Sequence, residues 1–240
     1  MSTCGSDLKL MQPTAATLRL KRAMDVAGAV FGLVVLSPLF VLIAIAIRME
    51  TPGPAFFRQT RVGLNGRPFR IYKFRSMHAA PVSRGLALTV RADRRVTRIG
   101  AFLRRTKIDE LPQLLNVLAG DMSLVGPRPE VPEFMEFYSP AHRAILLSMR
   151  PGLTDYAAIL FHDESELLEQ DSNPLAVYRD VIVPIKFRHY ERYSREIGTF
   201  NDLRIILATI LLLVIGHVPG RLGIDPERAE LVPQKESAVT

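Results

Sequence analysis

An uncharged apolar run from Val26 to Ile47 constrains this chain of 240 residues more than any other feature. As one straight helix the run would be about 33 Å long, against a bilayer core of about 30 Å. It outlasts a usual signal-peptide core, and no small-residue cleavage site follows it, so it is expected to stay in the protein. Ser37–Pro38 lies at its centre. Pro38 lacks a backbone donor and disfavours helix at Ser37, so a kink is expected there. The Ser37 hydroxyl can satisfy a carbonyl that the kink frees. Both flanks are basic: Lys9, Arg19, Lys21 and Arg22 precede the run, and Arg48, Arg58, Arg61 and Arg67 follow it. The positive-inside rule then keeps both flanks cytoplasmic. A straight span remains open. A helix that enters, bends at Ser37–Pro38 and leaves by the same face meets both constraints.

Charge narrows the partners. Lys and Arg outnumber Asp and Glu by 31 to 24, and the net charge of +7 favours an anionic partner. Anionic phospholipid and a phosphorylated substrate fit. Nucleic acid does not, because the basic residues form no recognisable module. Cys4 is the only cysteine, so no intramolecular disulfide forms.

The soluble part reads as mostly helix. Phe56–Val62 and Pro68–Phe74 flank Asn65–Gly66, which predicts a β-hairpin over about 55–75. Leu111, Leu114, Leu115 and Leu118 follow helical spacing, with Pro112 tolerable only in the first turn. Further helices are expected at 95–106, 132–148, 163–169, 174–196 and 202–216. The fold class is α+β, mostly α. The expected organisation is a tail over 1–20, the membrane helix over 21–50, a cytoplasmic domain over 51–220 and a tail over 221–240. The apolar stretch Ile205–Val218 is short for a span; packing on the domain or lying at the interface suits it better.

Asp109 and Glu110 start the 111–118 helix. Adjacent acids there are usually solvated capping residues. Their company differs: seven cations lie between Arg91 and Asp109, namely Arg91, Arg94, Arg95, Arg98, Arg104, Arg105 and Lys107. Downstream, prolines 127 and 129 stiffen the backbone around Arg128, which suits presentation of a guanidinium to a phosphate. Free amides at the helix start and nearby arginines are expected to keep Asp109 ionised. An ionised carboxylate can attack phosphorus or bind Mg²⁺. Two acids meeting a pyrophosphate call for a divalent cation, Mg²⁺ or Mn²⁺, at Asp109 and Glu110. Zinc spacing and phosphate-cradling glycine loops are absent.

Nine blocks resemble, in order over about 21–215, the bacterial sugar transferase family, the monotopic phosphoglycosyl transferases. They are Lys21-Arg22-Ala23-Met24-Asp25; Ser37-Pro38; Pro52-Gly53-Pro54; Gln59-Thr60-Arg61-Val62-Gly63; Tyr72-Lys73-Phe74-Arg75-Ser76-Met77; Thr97-Arg98-Ile99-Gly100; Asp109-Glu110-Leu111-Pro112-Gln113-Leu114; Gly120 through Glu130; and Arg150-Pro151-Gly152-Leu153-Thr154. The resemblance implies a re-entrant helix broken at Ser37–Pro38, with the catalytic domain on the cytoplasmic face of the inner membrane. It implies transfer of a sugar 1-phosphate from a UDP-sugar to undecaprenyl (polyprenyl) phosphate, with release of UMP. Such a reaction opens exopolysaccharide, O-antigen or glycan assembly. Asp109 is implied as the nucleophile that carries the phosphosugar. Glu110 is implied as its partner, for the metal ion or for a proton. Lys73, Arg75, Arg104 and Arg128 match basic positions expected near the phosphates. The chain departs from the family pattern at Lys107, Arg94 and Asp155-Tyr156-Ala157, positions that bear on the sugar more than on the reaction.

Overall fold

The computed structural model describes residues 13–78, 93, 95–162, 173–219 and 222–224. The helix expected at 163–169, Arg91, Arg94 and most of both tails lie outside the described residues.

Helix α1 (Ala15–Glu50) dominates. It begins six residues before the expected boundary at Lys21, because Thr14 caps it: the Thr14 hydroxyl accepts from Thr17 N at 3.1 Å. With 36 residues it would extend about 54 Å if straight. Helical structure continues through Ser37 and Pro38. Pro38 cannot donate to the Val34 carbonyl, and the Ser37 hydroxyl donates to it instead, at 2.8 Å, as expected for the carbonyl that the proline frees.

One side of α1 lies on the domain. Gly28 and Gly32 leave room for Leu124 and Leu114; an added Cβ would come within 2.7 Å and 2.9 Å of those side chains. Ala29, between them, packs with Ile71, Leu114, Val117 and Met122. Further along, Ile43 and Ile47 pack with Phe74 and Leu103. Its outer side is apolar and bare, with Phe31 71%, Val34 67% and Leu42 64% exposed.

The predicted hairpin forms from β1 (Phe56–Val62) and β2 (Pro68–Phe74), paired Phe56 to Phe74. Its turn runs through Gly63–Arg67, with positive φ at Asn65 (56°) and Gly66 (75°), the two residues that tolerate it. Then come α2 (Arg98–Arg105), a 3₁₀ turn (Ile108–Gln113), α3 (Leu114–Ala119) and β3 (Ser123–Val125). The helix read at 95–106 therefore starts later, after the cap Thr97. The one read at 111–118 is split between a 3₁₀ and an α segment. The stretch 132–148 divides into a 3₁₀ turn (Pro132–Phe137) and α4 (Pro140–Leu147), because Ser139–Pro140 starts a new helix. Strand β4 (Gly152–Thr154) pairs in parallel with β3, a second two-stranded sheet that the reading of a single hairpin lacked. The chain continues through α5 (Tyr156–Leu160), α6 (Pro174–Val177), a π turn (Tyr178–Ile182), α7 (Val183–Glu196) and α8 (Thr199–Ile215).

Both ends of α1 are fastened to this one body. At the start, Lys21 donates to Asp202 on α8 at 2.6 Å and to the Val125 carbonyl at 2.9 Å. The Tyr193 hydroxyl on α7 lies within hydrogen-bond distance of the same two groups, 2.8 Å from Asp202 and 3.0 Å from the Val125 carbonyl, and shares its single proton between them. Asp25 accepts from Ser123 Oγ (3.0 Å) and Leu124 N (2.9 Å). Arg22 donates to the Val117 and Leu118 carbonyls at the end of α3. At the far end, the Glu50 carboxylate accepts from the amides of Arg98 (2.8 Å) and Ile99 (3.1 Å), the free donors at the start of α2. Lys21, read from sequence as part of the basic flank, is thus buried in the fold.

Candidate active site

The Asp109–Glu110 pair is set by backbone on three sides. Lys107, just before it, adopts a left-handed conformation (φ 58°), which costs a non-glycine residue about 1–2 kcal/mol. Its carbonyl accepts from Glu110 N at 3.2 Å and so starts the 3₁₀ turn. On the other side stands β2. Asn116 on α3 treats the edge of β2 as a strand partner would: Tyr72 N donates to Asn116 Oδ1 at 2.9 Å, and Asn116 Nδ2 donates to the Arg70 carbonyl at 2.8 Å. This fixes β2 so that Lys73 reaches Glu110 at 2.7 Å.

The third side is the loop after β3. The β3–β4 pairing continues into it, with Gly126 N bonded to the Thr154 carbonyl and Gly152 N to the Pro127 carbonyl. Val62 N holds the Glu130 carbonyl at 3.0 Å, and Arg61 Nη1 holds the Pro129 carbonyl at 3.0 Å. The Glu130 side chain is buried and accepts from the hydroxyls of Tyr138 (2.9 Å) and Tyr178 (3.1 Å). So held, Arg128 forks onto Glu110, Nη2 to Oε1 at 2.7 Å and Nη1 to Oε2 at 3.1 Å. Both Glu110 oxygens are therefore engaged by cations.

Asp109 differs from its neighbour. Its side chain is buried, and Oδ1 is shut off from solvent with no hydrogen-bond partner. Among the described residues no backbone amide serves it, contrary to the expectation from a helix start. Burial pushes its carboxyl up; Lys73 draws it down, Glu110 pushes it further up, and Arg104 and Lys107 draw it down. The net direction is upward, so desolvation outweighs the cations that were expected to keep it ionised. For Glu110, burial also acts upward, but the charges and hydrogen bonds of Arg128 and Lys73 overcome it and hold the carboxyl well below its ordinary range. Lys73 is depressed by burial, against the pull of Glu110. The two adjacent acids are thus driven in opposite directions, Asp109 upward by burial and Glu110 downward by Arg128 and Lys73.

Four of the candidate residues therefore come together: Lys73, Asp109, Glu110 and Arg128. Arg104 stands within electrostatic reach of Asp109. Arg75 does not join them. It is buried, and its terminal nitrogens donate to the Pro52 and Thr51 carbonyls and to the Thr51 hydroxyl, each at 2.8 Å. It braces the chain where α1 ends. Arg95 is occupied by Asp93. Asn116, Glu130, Tyr138 and Tyr178 were not singled out from sequence; Glu130 alone carried a signal, beside Pro127-Arg128-Pro129.

A family model described as bacterial sugar transferase matches residues 16–216. The chain belongs to that family. This sugar transferase is 41% identical, over 82% of its length and 71% of the relative's, to the UDP-glucose:undecaprenyl-phosphate glucose-1-phosphate transferase of Caulobacter vibrioides. It is 46% identical, over 58% and 73% of the two chains, to the exopolysaccharide production protein PSS of Rhizobium leguminosarum. It is 35% identical, over 88% of its own length and 47% of the relative's, to the UDP-N-acetylgalactosamine-undecaprenyl-phosphate N-acetylgalactosaminephosphotransferase of Aeromonas hydrophila. Two of these relatives act on different sugars, so family membership does not fix the sugar.

If Asp109 must be ionised to act, activity falls as pH drops through its raised pKa. The acid limb of the kcat/KM profile is expected above the ordinary carboxylate range of about 4. Arg104→Gln removes a charge that holds the carboxyl down, and should move the limb to higher pH. A wild-type profile flat down to about pH 4 would show that the Asp109 carboxyl does not control the rate.

Proposed function

We propose that this sugar transferase moves a sugar 1-phosphate from a UDP-sugar to undecaprenyl (polyprenyl) phosphate through a phosphosugar carried on Asp109. The observation that carries the reading is the buried, unpartnered Asp109 oxygen beside the Lys73–Glu110–Arg128 cluster. In the first step an Asp109 oxygen forms a bond to the sugar-linked phosphorus. The bond to UMP breaks, and UMP leaves with its electron pair. In the second step an oxygen of the lipid phosphate bonds to the same phosphorus, and Asp109 leaves as a carboxylate. Phosphoryl transfer asks mainly for positioning and charge stabilisation, which Lys73, Arg104 and Arg128 supply. Glu110 holds Lys73 and Arg128 in place.

The chemistry implies Mg²⁺ or Mn²⁺. Among the described residues no group of three or more His, Cys, Asp and Glu is placed to hold an ion. Asp109 would be the residue to hold it, through a carboxylate whose Oδ1 has no hydrogen-bond partner, since Mg²⁺ commonly takes one carboxylate with the rest from phosphates and water. Glu110 fits less well, since both its oxygens face cations. When bound, the ion would offset pyrophosphate charge.

The test is direct. Purified protein is incubated with a panel of UDP-sugars and undecaprenyl phosphate, with and without chelation, and UMP is measured. UMP release is expected only with metal present. Protein given a UDP-sugar alone should gain the mass of one phosphosugar. Release without any protein adduct would overturn the covalent route, and full activity after thorough chelation would overturn the metal.

We also propose that α1 enters the inner membrane and leaves by the cytoplasmic face. Its bare outer side supports this, because each large apolar side chain gains roughly 1.5–3 kcal/mol on leaving water. So does its attachment: Lys21 and Glu50, on either side of the run, bind one domain. A crossing would have to break one of these attachments. Arg48 and Arg58, on the exposed surface, remain available to anionic headgroups. Single cysteines near residues 10 and 65, in a Cys4→Ser background, should both resist an impermeant thiol reagent in intact cells and both react after lysis. Labelling of either one from outside would show a span.

A further inference from the structure

Arg61 was read from sequence as one of the cations flanking the membrane run. The structure turns it into the domain. It lies on β1, half-buried, with Arg128, Glu130 and Glu110 as its charged neighbours. Nη1 donates to the Pro129 carbonyl at 3.0 Å and Nη2 to Gln59 Oε1 at 2.7 Å, both neutral oxygens. Nε is shut off from solvent and has no partner. A guanidinium carries five N–H donors. Among the described residues no carboxylate pairs with this one, and the nearby acids are committed elsewhere. Glu130 receives Tyr138 and Tyr178; Glu110 receives Lys73 and Arg128.

Buried cations are normally paired, because desolvation of an unpaired charge is costly. Arg61 carries that cost and stands beside a second guanidinium, which adds repulsion. Burial first, and Arg128 next, depress its pKa. The Arg61 guanidinium, with no carboxylate on it among the described residues and with Arg128 as a neighbour, makes a place next to the Asp109–Glu110 turn that is stabilised when a multiply charged anion arrives.

We propose that Arg61 is a donor-recognition residue, which binds the pyrophosphate of the nucleotide-sugar together with Arg128. This rests on the reading of a UDP-sugar donor. Its second effect is on position: the bond to Pro129 holds the loop that carries Arg128, so Arg61 links the two guanidinium groups mechanically.

The experiment titrates UDP against detergent-purified wild type, Arg61→Gln and Arg61→Lys by calorimetry at two salt concentrations, beside thermal unfolding and steady-state kinetics. Gln keeps a polar side chain but has no charge and is too short to hold the Pro129 carbonyl as Nη1 does, which is why the Lys variant stands beside it. The Gln variant should weaken UDP binding by about ten- to hundredfold, the scale of one charge-assisted hydrogen bond, and flatten the salt dependence. The donor KM should rise by a similar factor. Lys keeps the charge and should hold UDP affinity within about tenfold of wild type. UDP affinity unchanged in Arg61→Gln would overturn the proposal. So would a Lys variant as weak as Gln with normal melting, since loop geometry and not charge would then be at work. Should Gln fail to fold, the Lys variant decides alone: wild-type UDP affinity with its salt dependence intact supports the charge role, and its loss overturns it. Wild type that binds no UDP would instead remove the reading of the donor.

Discussion

Asp109→Asn should lower UMP release on the order of 10⁴-fold while membrane association stays at the wild-type level. Asn keeps the shape of the side chain but cannot form the bond to phosphorus. Its effect on stability is expected to have the opposite sign. Burial raises the Asp109 carboxyl, so the folded state disfavours the charge that the unfolded chain carries freely at neutral pH. The neutral amide removes that penalty. The variant should therefore melt at or above the wild-type temperature, as is common when a residue is kept for activity against the interest of the fold. Loss of turnover together with a large drop in melting temperature would mean that Asp109 is structural. Turnover within about tenfold of wild type would exclude it as the nucleophile.

The other large effect is far from the chemistry. Asp202→Ala strands the buried Lys21 ammonium, whose remaining described contacts are the Val125 carbonyl at 2.9 Å and the face of the Tyr193 ring, neither of them charged. Breaking such a pair costs about 3–5 kcal/mol, because one uncompensated charge stays buried. In a chain of this size the melting temperature should fall by roughly 6–20 °C in detergent. Asp202 is itself pushed up by burial, against the pull of Lys21. Burial outweighs that pull, so the charge on Asp202 is itself penalised in the fold, and removing both charges should be milder than removing one. Lys21→Met with Asp202→Leu is expected to recover most of the loss. A single Asp202→Ala variant melting within about 2 °C of wild type would show that the pair does not tie α1 to α8.

What could be read in the chain was local. Asn65–Gly66 announced its turn because Asn and Gly tolerate positive φ without support from the rest of the fold. Asp109, Glu110 and Arg128 could be nominated from neighbouring residues, and the structure joins them in one cluster. The misplacements were of long range. Lys73 and Arg75 are two residues apart and looked alike; whether each faces Glu110 or Thr51 depends on where β2 stops. The upward shift of Asp109 comes from burial that a helix-start argument does not contain. Strands β3 and β4 have three residues each and lie in loops rich in glycine and proline, so neither has a periodicity to detect. Lys21 and Arg61 looked like members of a basic flank because composition cannot tell an inward cation from an outward one.

The bond between Lys21 and Asp202 joins positions 181 apart in the chain. At the usual 5–20 residues per second, the ribosome makes the second partner about 10–40 s after the first. Helix α1 therefore emerges long before the domain that will hold its two ends. Its apolar side needs shelter during that interval, and on the membrane reading the bilayer is what provides it. The choice between turning back and crossing must then be made by the helix alone, from Ser37–Pro38 and the charges beside it. The attachments at Lys21, Asp25 and Glu50 come too late to direct that choice; they preserve it once the domain has folded.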